Sequence, residues 1–189
     1  MSMALRRPMT VSEFLEWEER QELRWEFDGF APVAMTGGTL GHGVIQANLM
    51  MALGVRLRGT PCRAVGSDVK IVVSGSVRYP DAFVFCTPIT RTATVAESPV
   101  VVFEVLSPST SSTDFIVKNE EYRDTPSIER YVMLAQDRPA ATVFARVDGD
   151  WVGHVMSGDT VLAMPEIGIE IPLAELYEGL TFEAQTTDG

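Results

Sequence analysis

The sequence predicts a mixed α/β fold in which helices flank a central β-sheet. Three features carry that prediction. Pro99-Val100-Val101-Val102-Phe103-Glu104-Val105-Leu106-Ser107-Pro108 is a short, β-branched apolar run bounded by prolines, the pattern of a strand buried on both faces of a sheet. Val44 to Leu57 places Ile45, Leu49, Ala52 and Leu53 at helical spacing, as an amphipathic helix does. Asp28-Gly29 and Asp148-Gly149 each sit between apolar segments, and Asp-Gly in that setting is a strong hairpin signal.

Taken in order, Thr10 to Glu18 reads as a capped helix: Thr10 or Ser12 can accept from first-turn amides, Glu13 falls three residues after Thr10, and Phe14, Leu15 and Trp17 form an apolar stripe. Arg24 to Met35 is the first hairpin. Thr36 to Gly43 is glycine-rich and leads into the Val44 helix, with His42 at the entrance as either a cap or a chemical group. It lacks the Lys-Ser/Thr ending of a phosphate-binding P-loop. Short strands follow over Cys62 to Val65, Val69 to Val73 and Tyr79 to Cys86, with Ser74-Gly75-Ser76 as a turn. Thr87 to Ser98 is a polar connection to the Val100 strand. A helix from about Thr113 to Asp124 is stopped by Thr125-Pro126, and Asp114, Lys118 and Tyr122, four apart, share one of its faces. Glu129 to Ala135, Ala141 to Val147 and Trp151 to Met156 are strands. Thr160 to Met164 and Ile167 to Ile171 are expected to close the sheet, and Pro172 to Tyr177 to form a short helix. The expectation is one domain over residues 1–189, with flexible ends at 1–9 and 183–189.

Composition narrows the function classes. The chain has 189 residues, 46% hydrophobic and 22% charged, as soluble globular domains do. No apolar run approaches the length of a membrane span or a secretory signal core, so an intracellular, cytoplasmic protein is expected. Cys62 and Cys86 lie in apolar surroundings without the close spacing of a zinc or redox motif and read as ordinary small core residues. A net charge of −11 argues against a broad basic face for nucleic acid, although Arg56, Arg58, Arg63, Lys70, Arg78 and Arg123 are candidates to line one local groove. There is no Gly-x-Ser-x-Gly elbow, and with only His42 and His154 present a histidine-rich metal site is excluded.

Two carboxylates stand out. Asp81 follows Tyr79-Pro80, and Glu104 lies inside the apolar strand. Strands close in sequence usually neighbour one another, which would put both on one sheet. A carboxylate there costs several kcal/mol to desolvate unless a cation or good donors meet it. Paired hard oxygen ligands suit Mg²⁺ or Mn²⁺; backbone donors or a lysine would serve as well.

Several stretches together resemble a known family: Trp25-Glu26-Phe27-Asp28-Gly29, Gly41-His42-Gly43, Tyr79-Pro80-Asp81, Val101 to Thr110 with its Glu-Val-Leu-Ser-Pro-Ser-Thr block, and Asp114, Lys118 and Tyr122. Over roughly Glu13 to Leu134 they are similar to the Uma family of restriction-endonuclease-like proteins, within the PD-(D/E)XK nuclease superfamily. The resemblance implies a restriction-endonuclease-like fold with a mixed central sheet, and hydrolysis of DNA phosphodiesters by a metal-activated water. Asp81 and Glu104 would hold Mg²⁺ or Mn²⁺, and Lys118 would orient the nucleophile or neutralise developing charge. Glu26 is a candidate third ligand or a surface carboxylate. Tyr122 and Asp114 are candidates to orient Lys118, with Gln46 and His42 in supporting positions. The superfamily's lysine usually stands two residues after the acidic one, where this chain has Leu106, so the ammonium is expected from the following helix. A homodimer would suit the cutting of two strands. The competing expectation is a catalytically silent module that keeps the fold for binding or regulation.

Overall fold

The computed structural model describes residues 8–35, 37–106 and 112–182, without the side chains of 112–115. Ser107 to Ser111, and with them the end of the Glu-Val-Leu-Ser-Pro-Ser-Thr block, lie outside the described residues, as do both chain ends.

Local chemistry accounts for the first elements. Thr10 accepts from the Glu13 amide while Glu13 reaches back to the Thr10 amide, a complete capping box on α1 (Val11–Glu18). β1 (Trp25–Phe27) and β2 (Pro32–Ala34) pair antiparallel across a turn in which Gly29 takes φ +85°, a conformation open to glycine at little cost. Thr39 caps α2 (Leu40–Arg56) by accepting from the His42 amide. The helix therefore begins four residues earlier than the apolar periodicity predicted, and Gly41 and Gly43 belong to it.

The strands divide between two main sheets. β3 (Arg63–Gly66), β6 (Ala82–Phe85), β8 (Pro99–Leu106), β9 (Arg130–Ala135), β10 (Ala140–Val147) and β11 (Asp150–Ser157) form a six-stranded mixed sheet in the order β11-β10-β9-β8-β6-β3. Its β8–β9 pair is parallel and its other pairs are antiparallel. β4 (Lys70–Val73), β5 (Ser76–Arg78) and the two-residue β7 (Val95–Ala96) join β1 and β2 in a second sheet. The predicted strand Tyr79 to Cys86 is thus shortened to Ala82–Phe85, and Ser76–Arg78, of which Ser76 was read as part of a turn, is a separate strand in the other sheet. Proline offers no ladder donor, and Tyr79-Pro80-Asp81 is where the chain crosses between sheets.

β12 (Val161–Met164) and β13 (Ile169–Pro172) do not close the main sheet as expected; they pair with each other. Leu162, Met164, Ile169 and Ile171 instead join Ile45, Leu49, Leu53, Val101, Phe103 and Val105 in the core beneath α2, together with Leu173, Leu176 and Tyr177 of a 3-10 helix, Leu173–Tyr177. The opposite face of the six-stranded sheet packs Val102, Tyr131 and Met133 against Tyr122 of α3 (Ser112–Arg123) and Ile71 and Val73 of the second sheet. Phe14 of α1 stacks on Phe27. Among the described residues no helix is long and apolar enough to cross a membrane.

The cysteines correct the sequence expectation. Cys62 and Cys86 are joined in a disulfide. The register Arg63↔Phe85 between β3 and β6 carries on by one position to set them opposite each other, a proximity across 24 residues of sequence that spacing alone does not reveal. They therefore do not serve as evidence for a reducing compartment.

Candidate active site

The site forms where Pro80 passes the chain from one sheet to the other. Ala82 pairs with Phe103, so the next position sets Asp81 beside Glu104 and Val105. Asp81 Oδ2 accepts from the Val105 amide at 2.7 Å, tying the loop to the middle strand of the sheet. Its Oδ1 lies 2.7 Å from His42 Nε2, brought by the first turn of α2. Gln46, one turn further on, donates to the Asp81 carbonyl at 2.8 Å and to Ser67 Oγ at 3.2 Å.

Strand alternation turns Val102, Glu104 and Leu106 toward α3. Tyr122, fully buried, donates to Glu104 Oε1 at 2.8 Å, and Lys118 Nζ lies 3.3 Å from the same oxygen. Lys118 and Tyr122 are one helical turn apart and so reach one point together. Lys118 Nζ also lies 3.4 Å from Glu26 Oε1. Glu26 is buried, not a surface carboxylate: its Oε1 accepts from the Tyr79 amide at 3.1 Å and its Oε2 from Arg78 at 3.2 Å. Asp81, Glu104, Lys118, Glu26, His42, Gln46 and Tyr122 are thus gathered at one place. Tyr122 binds Glu104 where an orienting contact with Lys118 was expected. Asp114 lies on the first turn of α3, and its side chain is outside the described residues. Leu106 packs beside the Tyr122 cluster, so the ammonium comes from the helix.

Sequence reasoning assigned Arg78 to a basic groove; it is instead a buried strut. Its guanidinium makes two 2.7 Å bonds to Glu121 of α3 as well as reaching Glu26, and Ser76 Oγ also donates to Glu121 at 2.7 Å. The signal was present in Ser76-Val-Arg-Tyr-Pro-Asp, an arginine in a short strand beside a candidate acid. The other proposed groove residues are mostly engaged as well. Lys70 is buried against Glu18, which also accepts from Tyr79 Oη; Arg56 forks onto Glu175; Arg63 donates to the Thr60 and Cys62 carbonyls; Arg123 lies over Phe144. These six do not form the expected groove.

Electrostatics set the chemistry. Three carboxylates, Glu104, Glu26 and Glu121, meet two fixed cations, Lys118 and Arg78, through contacts of 2.7 to 3.4 Å, while Asp81 meets the Val105 amide and His42, so the carboxylates at this place outnumber the fixed cations. Burial pushes Glu104 up to about 7, the Asp81 and Glu26 charges add to the rise, and Lys118 and the Tyr122 hydroxyl oppose it. The hydrogen bond to Asp81 raises the His42 imidazole against the effect of burial. Among the described residues no three acidic, histidine or cysteine side chains already enclose one metal-sized centre. The donor set nonetheless fits a divalent cation. Its oxygens are hard, its carboxylates outnumber its fixed cations, and every hydrogen bond to Glu104 among the described residues goes to Oε1, leaving Oε2 as a ligand atom.

Comparisons with known proteins show the family and the fold. The chain is 32% identical over 178 residues to the uncharacterized protein slr1290 of Synechocystis sp., covering 92% of this chain and 94% of that one. It is 26% identical over 141 residues to a second uncharacterized Synechocystis protein, sll1609, covering 72% of this chain and 80% of the other. A crystal structure from Anabaena variabilis, described as that of "a putative nuclease", superposes with a TM-score of 0.74 at 18% identity, over 90% of this chain and 98% of that one. At that identity the likeness shows the fold, which is restriction-endonuclease-like. Residues 11–174 match the model of the Uma2 family, described as "putative restriction endonuclease", and the chain belongs to that family.

Proposed function

We propose that the protein is a metal-dependent nuclease that hydrolyses phosphodiester bonds of DNA at the site formed by Asp81, Glu104 and Lys118. The observation that carries this reading is the meeting of Lys118 with Glu104 at 3.3 Å, on a strand paired with the one that Asp81 precedes. Asp81 and Glu104 would hold Mg²⁺ or Mn²⁺, with Glu26 as a further oxygen donor. When bound, the ion supplies Lewis-acid activation of water and of the phosphoryl group.

The chain's own residues supply the rest. Lys118 presents a cation where negative charge develops on the phosphate in the transition state. Tyr122 fixes the Glu104 carboxylate by donating to Oε1, so that Oε2 faces the reacting groups. Glu26, braced by Arg78 and the Tyr79 amide, holds Lys118 from its far side. His42 keeps Asp81 oriented and can carry a proton at Nε2.

A second reading has an observation of its own. Nonspecific affinity for nucleic acid comes from lysine and arginine contacts to phosphate, yet Lys70, Arg78, Arg56 and Arg130 are engaged by acids of the same chain. A binding or regulatory module without cleavage would leave them so. Incubation of plasmid and single-stranded DNA with Mg²⁺ or Mn²⁺ separates the two. The nuclease reading expects cleavage by the wild type, removed by chelator and by Asp81→Asn or Glu104→Gln. Equal cleavage by wild type and both variants, or no cleavage together with no metal binding, refutes it.

A further inference from the structure

The outer face of α2 is the largest feature left unexplained. Between Asp28 and Arg56 the sequence contains no Asp, Glu, Lys or Arg, in a chain of net charge −11. α2 buries Ile45, Leu49, Ala52 and Leu53 beneath it. Its other side carries a second seam, Leu40, Val44, Ala47, Met51 and Val55, whose three- and four-residue steps keep it on one face of the helix. Leu40 is 86% exposed, Met51 62% and Val55 64%. An apolar stripe on a helix normally faces a partner; the stripe on the inner side of α2 meets the core, whereas this second one is exposed at Leu40, Met51 and Val55.

Two further observations suggest what covers it. Gly43 and Gly54 lie on the exposed side, and a Cβ at either would meet nothing within 4 Å. Each costs the helix about 1 kcal/mol relative to alanine and serves no packing purpose within one chain, whereas small residues let a second helix approach closely. At the C-terminal end of the seam, Met51 and Val55 border an open groove of about 220 Å³, closed on the far side by Arg56 and Glu175. Leu40, the most exposed leucine among the described residues, stands at the other end of the helix, about 22 Å away at 1.5 Å per residue.

We infer that this face joins two copies of the chain, with their α2 helices antiparallel. A two-fold axis between Ala47 and Asn48 brings Leu40 of each copy to Met51 and Val55 of the other and seats it in the groove, while Val44 meets Met51. One feature at each end of one helix thus satisfies both ends of the contact, as an isologous interface requires. Charge favours the same face, because two strongly acidic chains repel least along a seam that carries no charge of its own, and of the charged residues at the groove Arg56 and Glu175 already pair with each other, with Glu178 beside them. Such a contact buries on the order of 1,000 Å², the lower bound of a specific interface, so the dimer is concentration-dependent.

The test is sedimentation of the full chain from about 1 to 100 µM, a range suited to a weak dimer, for wild type, Leu40→Asp, Val55→Lys and the double variant. Both positions are exposed, and thermal melts confirm that each variant folds. Wild type dimerises within the range, each single change weakens association at least tenfold, and the double variant recovers it because the new charges face each other across the axis. Gly54→Ala raises the melting midpoint of the monomer while weakening the dimer. A wild type monomeric throughout, singles that dimerise like wild type, or a double variant that stays monomeric overturns the inference. It is independent of hydrolysis: a silent module dimerises on the same face, and a monomer remains free to cleave.

Discussion

Replacing Glu104 by glutamine should make the metal-free protein more stable at alkaline pH while removing a carboxylate that the proposed hydrolysis requires. Glu104 is 12% exposed at its side chain and is pushed up from its ordinary 4.5 to about 7, first by burial and then by the charges of Asp81 and Glu26. Between pH 4.5 and 7 the folded chain keeps the proton and the unfolded chain has lost it. The folded state therefore binds more protons, and stability falls as pH rises across that window. At about 1.4 kcal/mol per decade of pH, the loss from this one group is complete above pH 7 at about 3 kcal/mol. Glutamine has the same shape and can still accept from Tyr122, but it carries no charge, and Lys118 keeps Glu26 at 3.4 Å. Urea unfolding of both proteins in chelator at pH 5 and pH 8 measures the difference. The variant should equal or trail wild type at pH 5 and exceed it at pH 8, and added Mg²⁺ should stabilise wild type more than the variant. A variant less stable than wild type at pH 8, or with the same dependence on pH, refutes the argument that the Glu104 charge is destabilising until a cation meets it.

Other perturbations probe the supports. Arg78→Met leaves Glu26 and Glu121 buried without their common cation and should cost about 3–5 kcal/mol in urea unfolding; a loss under 1 kcal/mol would mean that the strut is dispensable. Opening the Cys62–Cys86 link by Cys62→Ala with Cys86→Ala releases a 24-residue loop and should cost about 3 kcal/mol on the chain-entropy scale, seen as a lower melting midpoint. Thr10→Ala removes the capping box of α1 and should cost about 1 kcal/mol, with hydrogen exchange faster over Val11 to Leu15.

What could be read in the sequence follows how far apart the interacting residues lie. The Thr10–Glu13 cap, the Asp28-Gly29 and Asp148-Gly149 turns and the continuous strand around Val102 are set by neighbours within a few positions, and each has its expected form. The candidate site was legible for a related reason. Asp81 directly precedes β6, whose paired neighbour β8 carries Glu104, and Lys118 and Tyr122 share a helix face by spacing alone. Pairings made across the fold were not legible. Arg78 and Glu121 are 43 residues apart, Lys70 and Glu18 are 52 apart, and a list of basic residues does not show that acids elsewhere have already claimed them. The disulfide depends on the register of β3 with β6, and β12 and β13 look like any other alternating strands until their apolar faces are seen turned toward α2. Pro80 held the clue to the later start of the Tyr79 to Cys86 strand, as a residue unable to donate to a ladder.

The account turns on whether an ammonium carried by α3 serves where the superfamily places one on the strand. The decisive measurement is the cleavage rate of Lys118→Met relative to wild type at saturating Mg²⁺, taken with and without Leu106→Lys, which restores an ammonium two residues after Glu104 on the same face of β8. Loss of a positioned electrostatic donor lowers rates by roughly 10²–10³-fold. That drop is expected for Lys118→Met, with partial recovery in the double variant. A Lys118→Met protein that cleaves as fast as wild type would contradict the role given to the helix.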